Sequence, residues 1–114
     1  MELKAILSDF CDRSNDNIKA KRLVSGWDRL IEIQVDDTGN SFFLETCNGV
    51  ANIMTDPKSG HVNIIVEGSQ NVIAGVFSGS KNPSSEVLDG NLALFGSDMD
   101  QIKLDALSLI LWGV

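Results

Sequence analysis

Leu3, Ile6, Leu7 and Phe10 recur three and four residues apart, the spacing that lines one face of a helix. Residues 2–13 therefore read as an amphipathic helix. Ser14-Asn15-Asp16-Asn17 interrupts it, and Asp16 or Asn15 is placed to cap a second short helix over 17–24, which Gly26 ends. The period then drops to two. Ile31, Ile33 and Val35 alternate with Glu32 and Gln34, which predicts a strand, and Asp36 to Asn40 is a turn. Phe42, Leu44 and Thr46 alternate with Phe43, Glu45 and Cys47 in a second strand. Asn48-Gly49 then makes a hairpin, since both residues tolerate positive φ. Val50 to Thr55 is a third strand, residues 56–60 a loop, and the β-branched run Val62 to Val66 a fourth strand.

The second half returns to helical spacing. Ser69 caps a helix with Val72, Ile73, Val76 and Phe77 on one face, and Gly79 closes it. Asn82-Pro83 pairs a capping residue with proline at the first helical position, and Gly90 stops that helix. Asn91 to Phe95 is a fifth strand with Leu92 and Leu94 on one side. Ser97 and Asp100 form a loose capping box for a last helix reaching about residue 112, with Asp98 and Asp100 at its positive dipole end. The first three strands can pair as an antiparallel meander with one packed face that the helices cover. The class is α+β, in one domain spanning 1–114.

Composition narrows the function. Hydrophobic residues at 43% and charged residues at 22% fit a globular domain rather than a disordered chain. The net charge of −7 is uneven: residues 1–31 sum to +1 and residues 32–114 to −8. That balance argues against nucleic acid. Lys19, Lys21, Arg22 and Arg29 cluster, yet they are too few for a nucleic-acid footprint and read as a solvated helix end. Met1-Glu2-Leu3-Lys4 opens a mixed polar segment, not the apolar run of a signal peptide. Cys11 and Cys47 fit no metal motif and are expected as free thiols in a reducing cytoplasm. His61, after a glycine loop, is expected to be exposed. No nucleophile elbow, phosphate loop, calcium loop or zinc spacing occurs, so the expectation is not an enzyme.

The order of elements and the local motifs resemble the sterol carrier protein type 2 family. The similarity runs from Gly26-Trp27 to Leu109. It is carried most strongly by Gly79-Ser80-Lys81-Asn82-Pro83-Ser84-Ser85 and by Asp89-Gly90-Asn91-Leu92-Ala93-Leu94-Phe95-Gly96-Ser97, with Asn48-Gly49 and Gly68-Ser69 at matching positions. The resemblance implies a five-stranded, mostly antiparallel sheet with helices over one face and an apolar cavity between them. It also implies carriage of a sterol, fatty acid or acyl chain without a cofactor. The short helix here reads Glu86-Val87-Leu88 where the family usually carries alanine and large aromatics. Asn91 and Ala93 stand where lysines are frequent. These departures weaken the case for a phosphate or carboxylate head group.

Lipid carriage needs apolar volume, at about 0.8 kcal/mol for each buried methylene. The expected lining is Ile31, Ile33, Val35, Phe42 and Leu44 from the sheet, with Leu92 and Leu94. The helices are expected to add Val72, Ile73, Val76, Phe77, Val87, Leu88, Met99, Ile102 and Leu107. The same positions would be apolar in any solid core. An alternative is a module of the same fold with its interior filled, acting as a dimer or as accessory to a lipid-modifying enzyme. If Phe42 and Leu44 face inwards, Phe43 faces outwards. By the same alternation so do Ile65 and Phe95, which leaves a homodimer open. The apolar end of the last helix leaves a transient membrane contact open as well. Trp27 and Trp112 are expected to pack rather than to face a membrane.

Overall fold

The segment with the cleanest alternation becomes the middle of the sheet. A computed structural model describes residues 2–56 and 60–113. Its order is α1 (Leu3–Asp16), α2 (Ile18–Val24), β1 (Arg29–Val35), β2 (Ser41–Cys47), β3 (Val50–Met54), β4 (Ile64–Gly68), α3 (Gln70–Ser78), α4 (Pro83–Leu88), β5 (Leu92–Phe95) and α5 (Asp98–Trp112). Of the loop expected over 56–60, Pro57, Lys58 and Ser59 lie outside the described residues. The strands form one sheet in the order β3-β2-β1-β4-β5. Three neighbouring pairs are antiparallel, and β1 with β4 is parallel. The class is α+β, with a mixed and mostly antiparallel sheet.

Register fixes the two faces. Ile33 lies opposite Phe42 on one side and Val66 on the other, and Val66 lies opposite Leu94. Ile31, Leu44, Ile53 and Ile64 form the parallel row. This apolar face joins Leu3, Ile6, Leu7 and Phe10 of α1, Ile73, Val76 and Phe77 of α3, and Leu104 and Leu107 of α5 in one core.

Several boundaries differ from the sequence expectation, each for a reason of contact. Helix α1 does not stop at Ser14. It runs to Asp16 because Ser14 faces the core and is fully buried. Asn15 caps nothing. Its Nδ2 donates to the Ala51 carbonyl at 2.9 Å and its Oδ1 accepts from the Ala51 N–H at 2.8 Å. Those groups lie on the edge strand β3, and an edge left bare invites pairing with another chain. Asn17 is the cap of α2, accepting from the Ala20 N–H. Strand β4 starts at Ile64, not Val62. Asn63 there receives the Leu30 N–H on its side-chain oxygen at 2.9 Å, so a side chain replaces the first rung of the ladder.

On the outer face, Phe43 lies opposite Glu32, Glu32 opposite Ile65, and Ile65 opposite Phe95. Glu32 thus splits the three large apolar side chains into Phe43 on one side and Ile65 with Phe95 on the other. A self-contact centred on this row would have to bury that carboxylate, which is costly without a partner. The register therefore gives no support to a dimer through this face.

Beyond its core residues, contacts at both ends fasten α5 to the rest of the molecule. At its start, Ser97 accepts from the Asp100 N–H, but the Asp100 carboxylate does not return the bond to close a capping box. It accepts instead from Trp27 Nε1 at 2.8 Å and Arg29 Nε at 3.0 Å. Burial raises its pKa, and the Trp27 and Arg29 hydrogen bonds with the Arg29 charge outweigh that and hold it below the ordinary 3.8. At its end, the Trp112 ring lies over Gly79, which closes α3 in the left-handed conformation at φ 86°. Arg13 of α1 stacks 4.8 Å from the same ring's centroid. Trp27 is buried and Trp112 half-buried, so both pack within the fold.

Two expectations follow. A Cβ added at Gly79 would lie 2.6 Å from Trp112 Cδ2. Gly79→Ala should cost more than about 1 kcal/mol, from clash and positive φ together, and lower the melting temperature by several degrees. An unchanged melting curve would contradict this packing. Asp100→Ala should cost about 1.5–3 kcal/mol at neutral pH, since it strands the Trp27 and Arg29 donors. The folded pKa of Asp100 lies below the unfolded value, so its contribution is full above about pH 4 and fades as pH falls through the folded value. The stability gap between parent and variant, followed by denaturant melts, should close on acidification. A gap independent of pH would refute the ionic role.

Candidate functional site

Apolar residues on the β4 and β5 half of the sheet do not meet a continuous helical cover. A cavity of about 420 Å³ remains there, within the usual range for small-molecule sites. Val66, Leu92 and Leu94 form its sheet wall, Val76 and Phe77 of α3 a second wall, and Phe10 reaches in from α1. The Phe10 and Phe77 rings meet edge to face, with centroids 5.0 Å apart. Pro83, Ser84, Val87 and Leu88 of α4 and Ile102 and Leu104 of α5 complete the enclosure. Leu88 is 86% exposed and Ile102 61%, so the cavity opens to solvent between these two helices.

The wall is not uniformly apolar. Gln101, Asp105 and Ser108 also line it, at the four- and three-residue spacing that keeps side chains on one helix face. Ser84 Oγ donates to Asp105 Oδ1 at 3.3 Å across the gap between α4 and α5. Gln101 Nε2 donates one of its two hydrogens to the Gly96 carbonyl at 3.0 Å. The Ser108 hydroxyl is buried and has no hydrogen-bond partner among the described residues.

Of the residues expected at the cavity, Val76, Phe77, Val87, Leu88, Leu92, Leu94 and Ile102 line it. Ile31, Ile33, Val35, Leu44, Ile73 and Leu107 do not. They are almost fully excluded from solvent inside the packed core, and Phe42 and Val72 lean on that core half-buried. These positions sit where α1, α3 and α5 already close on the sheet, and interiors are close-packed wherever they can be. Met99 is 70% exposed and outside the lining. Adjacent helical positions point about 100° apart, and its neighbour Asp100 takes the inward direction. Phe10, Val66, Pro83 and Leu104 were not expected in the lining, nor were the four polar residues. For Gln101, Asp105 and Ser108 the helical spacing was visible, but nothing local marks which face of α5 looks into a cavity.

Other candidate chemistry is sparse. His61 and Cys47 are exposed. Burial, with Asp12 adding to it, pushes the Cys11 thiol up to about 12, so it stays protonated at neutral pH. Among the described residues no cluster of three or more His, Cys, Asp or Glu is arranged to hold a metal ion. No helix among them is long and apolar enough to cross a membrane.

No family model matches the sequence, and no curated protein matches it significantly. Solved structures do match. A UbiJ-SCP2 ubiquinone synthesis protein superposes with a TM-score of 0.72 at 12% identity, over 93% of this chain and 91% of its own. The fold is that of sterol carrier protein 2. The palmitated SCP2L2 of Aedes aegypti gives a TM-score of 0.68 at 12% identity, over 95% of both chains. The same SCP2 fold occurs inside a larger protein. The inverting sec-alkylsulfatase Pisa1 from Pseudomonas sp. matches at a TM-score of 0.64 and 15% identity over 80% of this chain, which spans 14% of the sulfatase.

An unpaired buried hydroxyl costs about 1–3 kcal/mol. Ser108→Ala in the lipid-free protein should therefore leave stability unchanged or raise it, as read by chemical denaturation. A loss above about 1 kcal/mol would mean that the hydroxyl has a partner after all.

Proposed function

We propose that this protein is an intracellular lipid-binding or lipid-transfer protein of the cytoplasm. It holds a sterol, fatty acyl chain or similar apolar ligand between sheet and helices, and acts as a carrier rather than as an enzyme. The observation that carries this reading is the cavity of about 420 Å³ walled by Val66, Val76, Phe77, Leu92 and Leu94, set in an SCP2 fold. An empty apolar space of that size is destabilising, because its lining loses both contacts and transfer energy. A bound chain restores them, at about 0.8 kcal/mol for each methylene before the costs of association. The open side between Leu88 and Ile102 gives the ligand a route in and out without unfolding. The alternative module, with its interior filled by side chains, is at odds with that open space.

The experiment is native mass spectrometry of the purified protein with extraction of what co-purifies. A stoichiometric lipid adduct is expected. Leu94→Trp should then weaken lipid binding at least several-fold while the melting temperature of the lipid-free protein stays close to the parent's. A cavity accepts extra atoms, whereas a packed core loses about 1–3 kcal/mol to them. No adduct, no uptake of added lipid and a collapse in stability for Leu94→Trp would together reject the carrier.

A further inference from the structure

We infer that the cavity selects an uncharged lipid whose head group donates a hydrogen bond, an alcohol, and discriminates against a carboxylate. This rests on the carrier reading above and concerns the polar strip along α5. Among the described residues no Lys, Arg or His lines the cavity, and Asp105 is the one charge there. The described ion pairs, Arg13 with Asp9 and Arg29 with Asp100, do not involve Asp105. The cations nearest in sequence are turned to other contacts. The Lys81 stem fills the space over Gly75, and Lys103 Nζ stands 6.0 Å from the Trp27 ring centroid.

The hydrogen-bonding capacity left on this strip is mostly that of acceptors. Gln101 uses one of its two amide N–H groups on Gly96 and keeps the other together with Oε1. The Ser84 hydroxyl already donates to Asp105, whose second oxygen remains free. One uncommitted hydroxyl remains, that of Ser108, one turn further along the same face. An alcohol fits this set. It donates to the Asp105 carboxylate in a charge-assisted bond and accepts from Ser108, giving that buried hydroxyl its missing partner. An ionised carboxylate fits badly. It would give up water with no cation to meet it, beside a like charge, and it has no hydrogen to offer the free acceptors.

The test compares three ligands with one chain length on the full-length protein: 1-hexadecanol, palmitic acid and hexadecyl methyl ether. Each displaces Nile red at about pH 8, where the acid is ionised. The alcohol should bind at least tenfold more tightly than the acid, and the ether, which cannot donate, several-fold more weakly than the alcohol. Asp105→Asn should bring the alcohol-to-acid ratio towards one, and Asp105→Lys should reverse it. Asp56→Asn, which removes an equal charge away from the cavity, should leave the ratio alone. Melting curves establish that each variant folds, and Asp105→Asn suffices if the lysine variant does not. Binding of palmitic acid as tight as that of the alcohol in the parent would overturn the inference and leave the carrier reading standing. So would an ether equal to the alcohol, or a ratio moved as much by Asp56→Asn as by Asp105→Asn. Displacement by none of the three would reject the carrier reading, and this inference with it.

Discussion

The arrangement of the whole molecule depends on one parallel contact, β1 against β4. It sets Ile31 beside Ile64, Ile33 beside Val66 and Val35 beside Gly68. Because β3 is the far edge of the sheet, the chain must leave that edge and return on the other side of β1. Leu30 lies on the outer face yet is buried, and Asn63, just ahead of β4, holds it through paired bonds to the Leu30 backbone. The helices cover the inner face in two parts. The β2 and β3 half is covered by α1, fastened through Asn15. The β4 and β5 half is left to the helices that follow.

Those helices cover their half incompletely, and composition explains why. Helix α4 has six residues and buries only Pro83. Helix α5 spends its inward positions on two jobs. Asp100 ties its start to Trp27 and Arg29, while Leu104 and Leu107 join the core. Gln101, Asp105 and Ser108 then form a polar edge facing apolar residues of the sheet. Polar side chains of that length cannot close on Val66 and Leu94 without losing water or hydrogen bonds, so space persists between the layers. A ligand that binds the folded state alone would stabilise it by mass action, which couples occupancy of the cavity to the integrity of the fold.

The same polar edge separates this chain from a generic apolar pocket. An apolar wall fixes how much chain a site accepts, and it says little about which end of the lipid stays near the mouth. Polar side chains concentrated on one helix face, with Asp105 the single charge among the described lining residues, make the two ends of the wall chemically different.

Element type and order were legible in the sequence, because they depend on neighbours. Alternation at Ile31, Ile33 and Val35, the helical spacing of Val72, Ile73, Val76 and Phe77, and the caps at Ser69, Asn82 and Ser97 all act within a few residues. The inward faces of β1, β2, β4 and β5 were legible for the same reason. The cavity lining was legible only in part, since apolar positions of β1 and β2 look the same whether they meet a helix or a void. Tertiary structure alone decided which half of the sheet stays open, that β4 pairs in parallel with β1, and that Asn15 and Asp100 are fasteners rather than caps. The Asn15 partner lies 36 residues away, and those of Asp100 lie 71 and 73 away. Short-range propensity holds no trace of such contacts, because they exist only once the sheet has brought distant segments together.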